Sequence, residues 1–314
     1  MSTGIVILNY NGSDETIRCI QSIESHNSAD IKYFIIDNGS TEDRETAVIE
    51  AFLKSAFGDQ CIRTEGLFPA DFNKAKALFI ASSSNDGYAR GNNKGLRAAF
   101  SDPDIDDILV LNNDVFFDSD IIPKLISQRA KLDRPGILTP VIYNTNGGIE
   151  YSCARRFPSN WEIMLPFVFF KKDLFHLLSK SSDSQKILIT NPELLRESAF
   201  PIGMPSGACM FIRKSILQEI DGLDEGTFLY YEENILCKKL LNKGLTNYCI
   251  PSVNALHIGG ASTSKTTNLF LQKCNLESAD YYLKSFSNSR LPLRIIWWIV
   301  KQAWELKFWI KNAR

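Results

Sequence analysis

The chain has little of what builds a cysteine scaffold, a membrane span or a polyanion-binding surface. Its seven cysteines (Cys19, Cys61, Cys153, Cys209, Cys237, Cys249 and Cys274) are odd in number and widely spaced, and no C-x-x-C pair occurs. That argues against a disulfide framework and a cysteine zinc site, and it fits a reducing compartment. No stretch of about 20 uncharged apolar residues occurs, so no membrane span is expected. The opening MSTGIVILNYNG lacks a basic segment and reads as a first strand, not a signal peptide. Charge of neither sign predominates: 35 Lys+Arg face 36 Asp+Glu, a net −1. Nucleic-acid binding driven by bulk positive charge is therefore not expected. Neither G-x-G-x-x-G nor G-x-x-x-x-G-K-[ST] is present, which removes support for a nicotinamide or P-loop enzyme.

What is present is an ordinary globular composition, 44% hydrophobic and 23% charged over 314 residues, enough for one large α/β domain or a domain with an appendage. Gly4–Asn9, Tyr33–Asp37, Leu78–Ser82 and Ile108–Asn112 read as strands. Helical patterns lie between and after them at Asp14–Ser25, Thr41–Lys54, near Asn92–Phe100 and near Asp120–Lys131. Strands alternating with helices give βαβ units and a mainly parallel sheet. Ligands collect at the carboxyl ends of such strands, which points to Asn9, Asp37, Ser82–Asn85 and Asn112–Asp114. Further on, Gly136–Tyr143, Gly207–Arg213 and Asn247–Val253 read as strands and Glu232–Lys243 as a helix. Pro158–Leu195 reads as an insertion of loops and short helices.

Five segments carry chemistry. Asp37-Asn38-Gly39-Ser40-Thr41 ends a strand, where Asp37 can accept from a nucleobase or ribose; a capped tight turn explains the residues as well. Gly87 to Gly95 (GYARGNNKG) opens a helix whose N–H groups suit an anion, with Arg90 able to pair with phosphate; a plain glycine-rich helix start is the competing reading. Asn112-Asn113-Asp114 ends an apolar strand, and Asp114 stands where Mg²⁺ or Mn²⁺ on a diphosphate needs an oxygen. Glu232 and Glu233 follow an aromatic run at a helix start. Either can be a general base, and helix geometry allows only one to face a substrate; acids in a first turn are also common without function. His257, before Gly259-Gly260, can supply a metal nitrogen or serve structure alone.

Taken in order, ILNYNG, IIDNGSTED, NDGYARGNNKG, LVLNND, GLDEGTFLYYEENILCKKL and HIGGAS resemble the landmarks of the family 2 glycosyltransferases. The similarity is nearest to the bacterial branch that makes polysaccharide, O-antigen and rhamnose-containing glycans. The resemblance implies a GT-A fold, an α/β architecture with a mainly parallel mixed sheet flanked by helices and a C-terminal helical tail. It implies a domain over 1–265 (nucleotide half about 1–115, acceptor half about 116–265) and a tail over 266–314. It also implies Mg²⁺ or Mn²⁺, a UDP-sugar or dTDP-rhamnose donor, inversion at the anomeric carbon, and a glycan or lipid-linked glycan acceptor. By position, Asn9, Asp37, Asn38, Arg90, Asn93 and Asn113 would hold the nucleotide sugar. Asp114, Asn112 and His257 would hold the metal, and Glu233 would be the base with Glu232 its competitor. Two departures stand out: Asn112 replaces the first Asp of a D-x-D motif, and Glu233 replaces an Asp. They leave room for a different class, a non-catalytic nucleotide-sugar or glycan-binding protein with a decayed site.

The tail concentrates four of the five tryptophans, Trp297, Trp298, Trp304 and Trp309, among six basic groups and one acid over 290–314. Aromatic bulk with basic flanks suits a helix lying in a membrane interface, and hence a cytoplasmic protein peripheral on the inner face of the cell membrane. The competing reading is a helix docked on the domain with its tryptophans in a core.

Overall fold

The computed structural model describes residues 2–66, 68–69, 72–168, 191–259, 268–287 and 291–312. The amino-terminal half is a run of β-strand and α-helix units: β1 (Ser2–Asn9), α1 (Ser13–Glu24), β2 (Ile31–Asp37), α2 (Asp43–Phe57), β3 (Cys61–Thr64), β4 (Ala77–Ala81), α3 (Gly87–Ser101) and β5 (Ile105–Asn112). β1 pairs in parallel with β2 and β5, and β4 pairs in parallel with β2 and β3. These strands are covered on both faces, which is why they read as unbroken apolar runs such as Ile5-Val6-Ile7 and Phe34-Ile35-Ile36, all buried.

Beyond β5 the sheet becomes mixed. β6 (Val115–Phe116), α4 (Ile122–Arg129), β7 (Pro135–Asn144), α5 (Asn160–Val168), β8 (Phe200–Ile202), β9 (Cys209–Arg213), α6 (Lys214–Glu219), α7 (Glu232–Asn242) and β10 (Thr246–His257) follow. β9 runs antiparallel between β5 and β7, and β10 pairs in parallel with β7. The strand order is β3-β4-β2-β1-β5-β9-β7-β10-β6, with β8 on β10. One apolar layer lies under α1, α2 and α4, and another under α3, α6 and α7. The anticipated parallel half is present. α3 begins five residues earlier than its pattern suggested, because Gly87 and Ala89 are already buried in its first turn. The short strands β3, β6 and β8 have no periodicity long enough to be read. All seven cysteines are free thiols.

Two helices follow, α8 (Asn268–Ser285) and α9 (Leu291–Asn312). They form a third apolar cluster with α5: Ile163, Met164, Phe167, Leu276, Tyr282, Trp297, Trp304 and Phe308. Trp297, Trp304 and Phe308 recur at helical spacing and share the docked face. The Trp297 indole N–H donates to Asp280 (2.9 Å) and that of Trp304 to the Phe167 carbonyl (2.8 Å). The opposite face leaves Ile295, Trp298, Ile299, Leu306, Trp309 and Ile310 exposed. The docked reading describes the buried side of this helix, and its other side is exposed and apolar. Among the described residues no helix is long and apolar enough to cross a membrane. Most of the Pro158–Leu195 insertion lies outside the described residues, as do Gly260–Ser262 of the histidine motif.

Candidate active site

Parallel pairing brings the carboxyl ends of β1, β2, β4 and β5 to one edge, with Asn9 opposite Asp37, Asp37 opposite Ala81, and Leu8 opposite Asn112. Asp37 is buried there. Its Oδ1 accepts from Asn9 Nδ2 (2.9 Å) and Ser40 Oγ (2.5 Å), and its Oδ2 accepts from the Thr46 hydroxyl. It forms part of the wall of a cavity of about 550 Å³ that Ser40, Thr46, Glu50, Arg63 and Ser82 also line. Gly39, at φ +71°, lets the β2 loop touch the β4 loop; a Cβ there would overlap the Ser84 backbone.

Four asparagines expected to meet the nucleotide are engaged by the fold. Asn9 Oδ1 accepts from the Thr16 hydroxyl (2.8 Å) and from Asn113 Nδ2 (3.3 Å). Asn113 also donates to the Gly12 carbonyl (3.1 Å), so its side chain points back toward α1 and not into the cleft. Asn38 donates to Asn85 (3.0 Å) and to the Gly87 carbonyl (3.1 Å), fixing the loop before α3. Asn93 donates to the Leu223 carbonyl and to Glu225 Oε1, both at 2.8 Å, and accepts from Leu223 N–H. Buried amides of this kind satisfy backbone groups that would otherwise be left unpaired. Asn93 and Asn113 therefore frame the loops of the cleft with their amides. Arg90 is exposed on α3, and its charge acts on Asp86 and Glu225.

On the other side of the cleft the 226–231 loop meets the start of α3. Tyr88 N–H donates to the Phe228 carbonyl (2.8 Å), and Gly87, at φ +81°, is packed so closely that a Cβ would strike that carbonyl. The loop ends in Tyr230 and Tyr231, both at positive φ (74° and 70°). Two bulky residues held there carry strain of about 1–3 kcal/mol each, and they aim Glu232 and Glu233 at the first turn of α7. Glu233 is half-buried and its Oε1 lies 3.2 Å from Arg155 Nη2. Glu232 is buried, and its Oε1 has no hydrogen-bond partner among the described residues. Burial first, and the neighbouring Glu233 charge second, push the Glu232 carboxyl up to about 8. The two acids have different environments: Glu232 is buried, and Glu233 is partly exposed and paired with Arg155.

Asp114, just past β5, is buried, and His257 at the end of β10 reaches it across the β10–β6 pairing, with Nε2 3.2 Å from Oδ1. The other ring nitrogen lies 3.1 Å from both oxygens of Glu150. Burial opposes charge on the imidazole, but the two carboxylates outweigh it and raise His257 to about 9. Asp114 Oδ1 is a buried carboxylate oxygen with no well-formed hydrogen bond among the described residues. Asn112 is half-buried one turn of chain earlier. No three His, Cys, Asp or Glu side chains among the described residues form a complete metal cage. Asp114 and His257 offer an oxygen and a nitrogen of the kinds divalent cations take, and the described residues do not complete a cage around them.

Half-buried Tyr88 reaches from α3 to the segment before β9. It donates to the Gly207 carbonyl (2.7 Å). Burial and then the charges of Glu232, Glu233 and Asp114 hold its pKa well above the usual phenol value. The charges of the metal-type acid and of the acid pair thus all act on one side chain. Sequence patterns did not single out Tyr88, Arg155 or Glu150. Tyr88 sits inside a quoted motif, but Arg155 and Glu150 come from a segment after β7 that carries no signal.

A sheet of this order, parallel in one half and mixed in the other, with helices on both faces and a cavity at its parallel strand ends, has the GT-A glycosyltransferase fold. Solved structures with this fold include GalNAc-T7 with UDP, GalNAc and Mn²⁺, at TM-score 0.55 and 12% identity over 82% of this chain and 44% of that one. Another is S. aureus TarS 1-349 in complex with UDP, at TM-score 0.51 and 11% identity over 92% of this chain and 67% of that one. The profile of Glycosyl transferase family 2 matches residues 4–221, and the chain belongs to that family. Similar curated proteins include the N-acetylglucosaminyl-diphospho-decaprenol L-rhamnosyltransferase of Mycobacterium tuberculosis, 22% identical over 273 residues, 83% of this chain and 77% of that protein. The low-salt glycan biosynthesis hexosyltransferase Agl10 of Haloferax volcanii is 23% identical over 254 residues, 81% of this chain and 66% of that protein.

Proposed function

We propose that this glycosyltransferase moves a sugar, with inversion, from a nucleoside diphosphate to a hydroxyl of a lipid-linked glycan at a membrane surface, in the synthesis of a cell-surface polysaccharide such as O-antigen. The observation that carries the reading is that one segment, 205–208, ties the two acid sites together: the Pro205 carbonyl accepts from the Arg155 that holds Glu233 (3.1 Å), the Gly207 carbonyl from Tyr88 (2.7 Å) and the Ala208 carbonyl from Asn112 N–H (2.9 Å). The nucleoside lies in the Asp37 cavity, with its diphosphate toward Asp114. Asp114, His257 and the Asn112 carbonyl would hold Mg²⁺ or Mn²⁺, which supplies Lewis-acid neutralisation of charge on the departing diphosphate. Glu233, oriented by Arg155, takes the proton from the acceptor hydroxyl. That oxygen forms the new bond to the anomeric carbon as the bond to the diphosphate oxygen breaks on the opposite face. Glu232, buried and protonated at neutral pH, is not the base.

The acceptor class rests on similarity to the N-acetylglucosaminyl-diphospho-decaprenol L-rhamnosyltransferase and on the exposed apolar face of α9, which suits a membrane interface. That face would place the enzyme on the inner surface of the cell membrane. The test is a transfer assay with UDP-sugars and dTDP-rhamnose, Mn²⁺ and a polyprenyl-diphosphate-linked sugar, alongside thermal-shift measurements with the same donors. Donor-dependent stabilisation and one productive donor are expected. Stabilisation with no transfer or hydrolysis from any donor would instead support a binding protein with a decayed site.

A further inference from the structure

We propose that a cavity between α5, α8 and α9 binds one anionic lipid molecule, its chain inside and its phosphate at the mouth. The cavity has a volume of about 450 Å³. Its walls are Met164, Leu283, Leu293 and Trp297, of which Met164, Leu283 and Trp297 are buried. Pockets of this size with mostly apolar walls and a few placed polar groups are ligand sites by their chemistry.

The mouth selects the ligand's charge. Asp280 accepts from Lys284 (2.8 Å), Lys301 (2.6 Å) and the Trp297 indole (2.9 Å). Lys284, Arg294 and Lys301 line the cavity with Asp280 as the one acid among its walls, and Glu305 lies 3.5 Å from Lys301 outside the lining, so positive charge predominates at the mouth. The Lys284 side chain is 66% exposed and can swing to a phosphate without unfolding anything. Trp298 lines the same cavity and is 63% exposed. It therefore continues the inner wall into the outer apolar stripe of Ile295 and Ile299. A lipid leaving a bilayer on which that stripe rests would pass along one unbroken apolar surface into the cavity. The helix α8 that carries Asp280 also presents Ser278, whose hydroxyl donates to the Leu229 carbonyl (2.8 Å), and Tyr282, which packs on Tyr231. The helix that walls the cavity thus also braces the strained turn before Glu233.

The experiment uses the full chain and a short-chain lipid kept monomeric, so that no bilayer is needed. Dioctanoyl phosphatidylglycerol below its micellar concentration should bind saturably at one per chain by isothermal titration. Dioctanoyl phosphatidylcholine should bind about 30-fold more weakly, since two lysines at about 1 kcal/mol each face the headgroup. Glycerol phosphate, the headgroup without chains, should not bind over the same range. Leu293→Trp, which fills the cavity, should abolish binding. Trp309→Ala, on the stripe but outside the cavity, should leave monomer binding unchanged. If Leu293→Trp does not fold, Lys284→Glu at the exposed mouth serves, with a loss of at least about fivefold expected. Equal affinity for phosphatidylcholine, equal affinity for glycerol phosphate, no saturable binding, or unchanged binding by Leu293→Trp or Lys284→Glu each overturns the proposal. The readout is binding alone, so its failure and that of the transferase reading are separate outcomes.

Discussion

His257 Nδ1 lies 3.1 Å from both carboxylate oxygens of Glu150, while its Nε2 faces Asp114 Oδ1 at 3.2 Å. A carboxylate behind a ring nitrogen fixes the ring's orientation and raises the basicity of the opposite nitrogen toward a metal. Glu150→Gln should therefore weaken Mn²⁺ binding by about 10- to 100-fold, as outer partners of metal-binding histidines do. Mn²⁺ electron paramagnetic resonance in the presence of UDP measures this without turnover. Unchanged affinity would remove Glu150 from the site. Excess EDTA should halt transfer, and added Mn²⁺ should restore it.

Arg155 holds Glu233 from the side away from α7. Its Nη2 also donates to the Pro205 carbonyl (3.1 Å), so the guanidinium is itself fixed. Glu233→Gln should lower kcat by about 10²- to 10⁴-fold, the usual range for a general base, with donor KM nearly unchanged. Arg155→Met should lower kcat less, because the carboxylate remains but loses its orientation, and Arg155→Lys should recover part of the loss. A Glu233→Gln enzyme with full turnover would transfer the role elsewhere.

Glu232 gives the fold a pH dependence of definite sign. Its carboxyl titrates near 8 in the folded chain, against an ordinary value of 4.5. Between those two values the folded state keeps a proton that the unfolded state releases, so stability falls as pH rises through that window and levels off above it. His257, raised from 6.5 to about 9, adds a loss in the same direction at higher pH. Urea denaturation of wild type and Glu232→Gln at pH 5, 7 and 8.5 separates them: the mutant should keep only the histidine part of the slope. Parallel slopes in the two proteins would mean that Glu232 ionises inside the fold at its ordinary pH.

The edge of the sheet was legible because parallel strands end in polar residues: Asn9, Asp37 and Asn112–Asp114 could be placed by the rule that ligands gather there. What each side chain does there was not legible. Asn93 and Asn113 have the right position, but backbone carbonyls that only the folded chain presents claim their amides. Arg155 and Glu150 reach the cleft through the packing of β7 and its following segment, a long-range contact with no local pattern. The unequal titration of Glu232 and Glu233 depends on burial, which two adjacent identical letters cannot encode. The tail misled in another way. Its tryptophans read as one population, yet Trp297 and Trp304 are buried while Trp298 and Trp309 are exposed.

That division makes the tail testable by two substitutions with opposite profiles. Trp297 is 5% exposed, touches Phe167 edge-on at 5.4 Å and donates to Asp280. Trp297→Ala leaves a cavity and an unpaired carboxylate oxygen, and should cost about 3–5 kcal/mol of stability. Trp309 is 69% exposed, and Trp309→Ser should change stability by no more than about 0.5 kcal/mol, as surface changes do. On vesicles containing anionic lipid the order reverses. Trp309→Ser removes apolar area from the outer stripe and should lower sedimentation with vesicles about five- to tenfold, and raising salt should lower it further because the lysine contribution is screened. Melting curves and vesicle sedimentation on the same two proteins decide the matter. If Trp309→Ser sediments like wild type, the exposed stripe is not a membrane contact, and α9 serves only to brace α5 and α8.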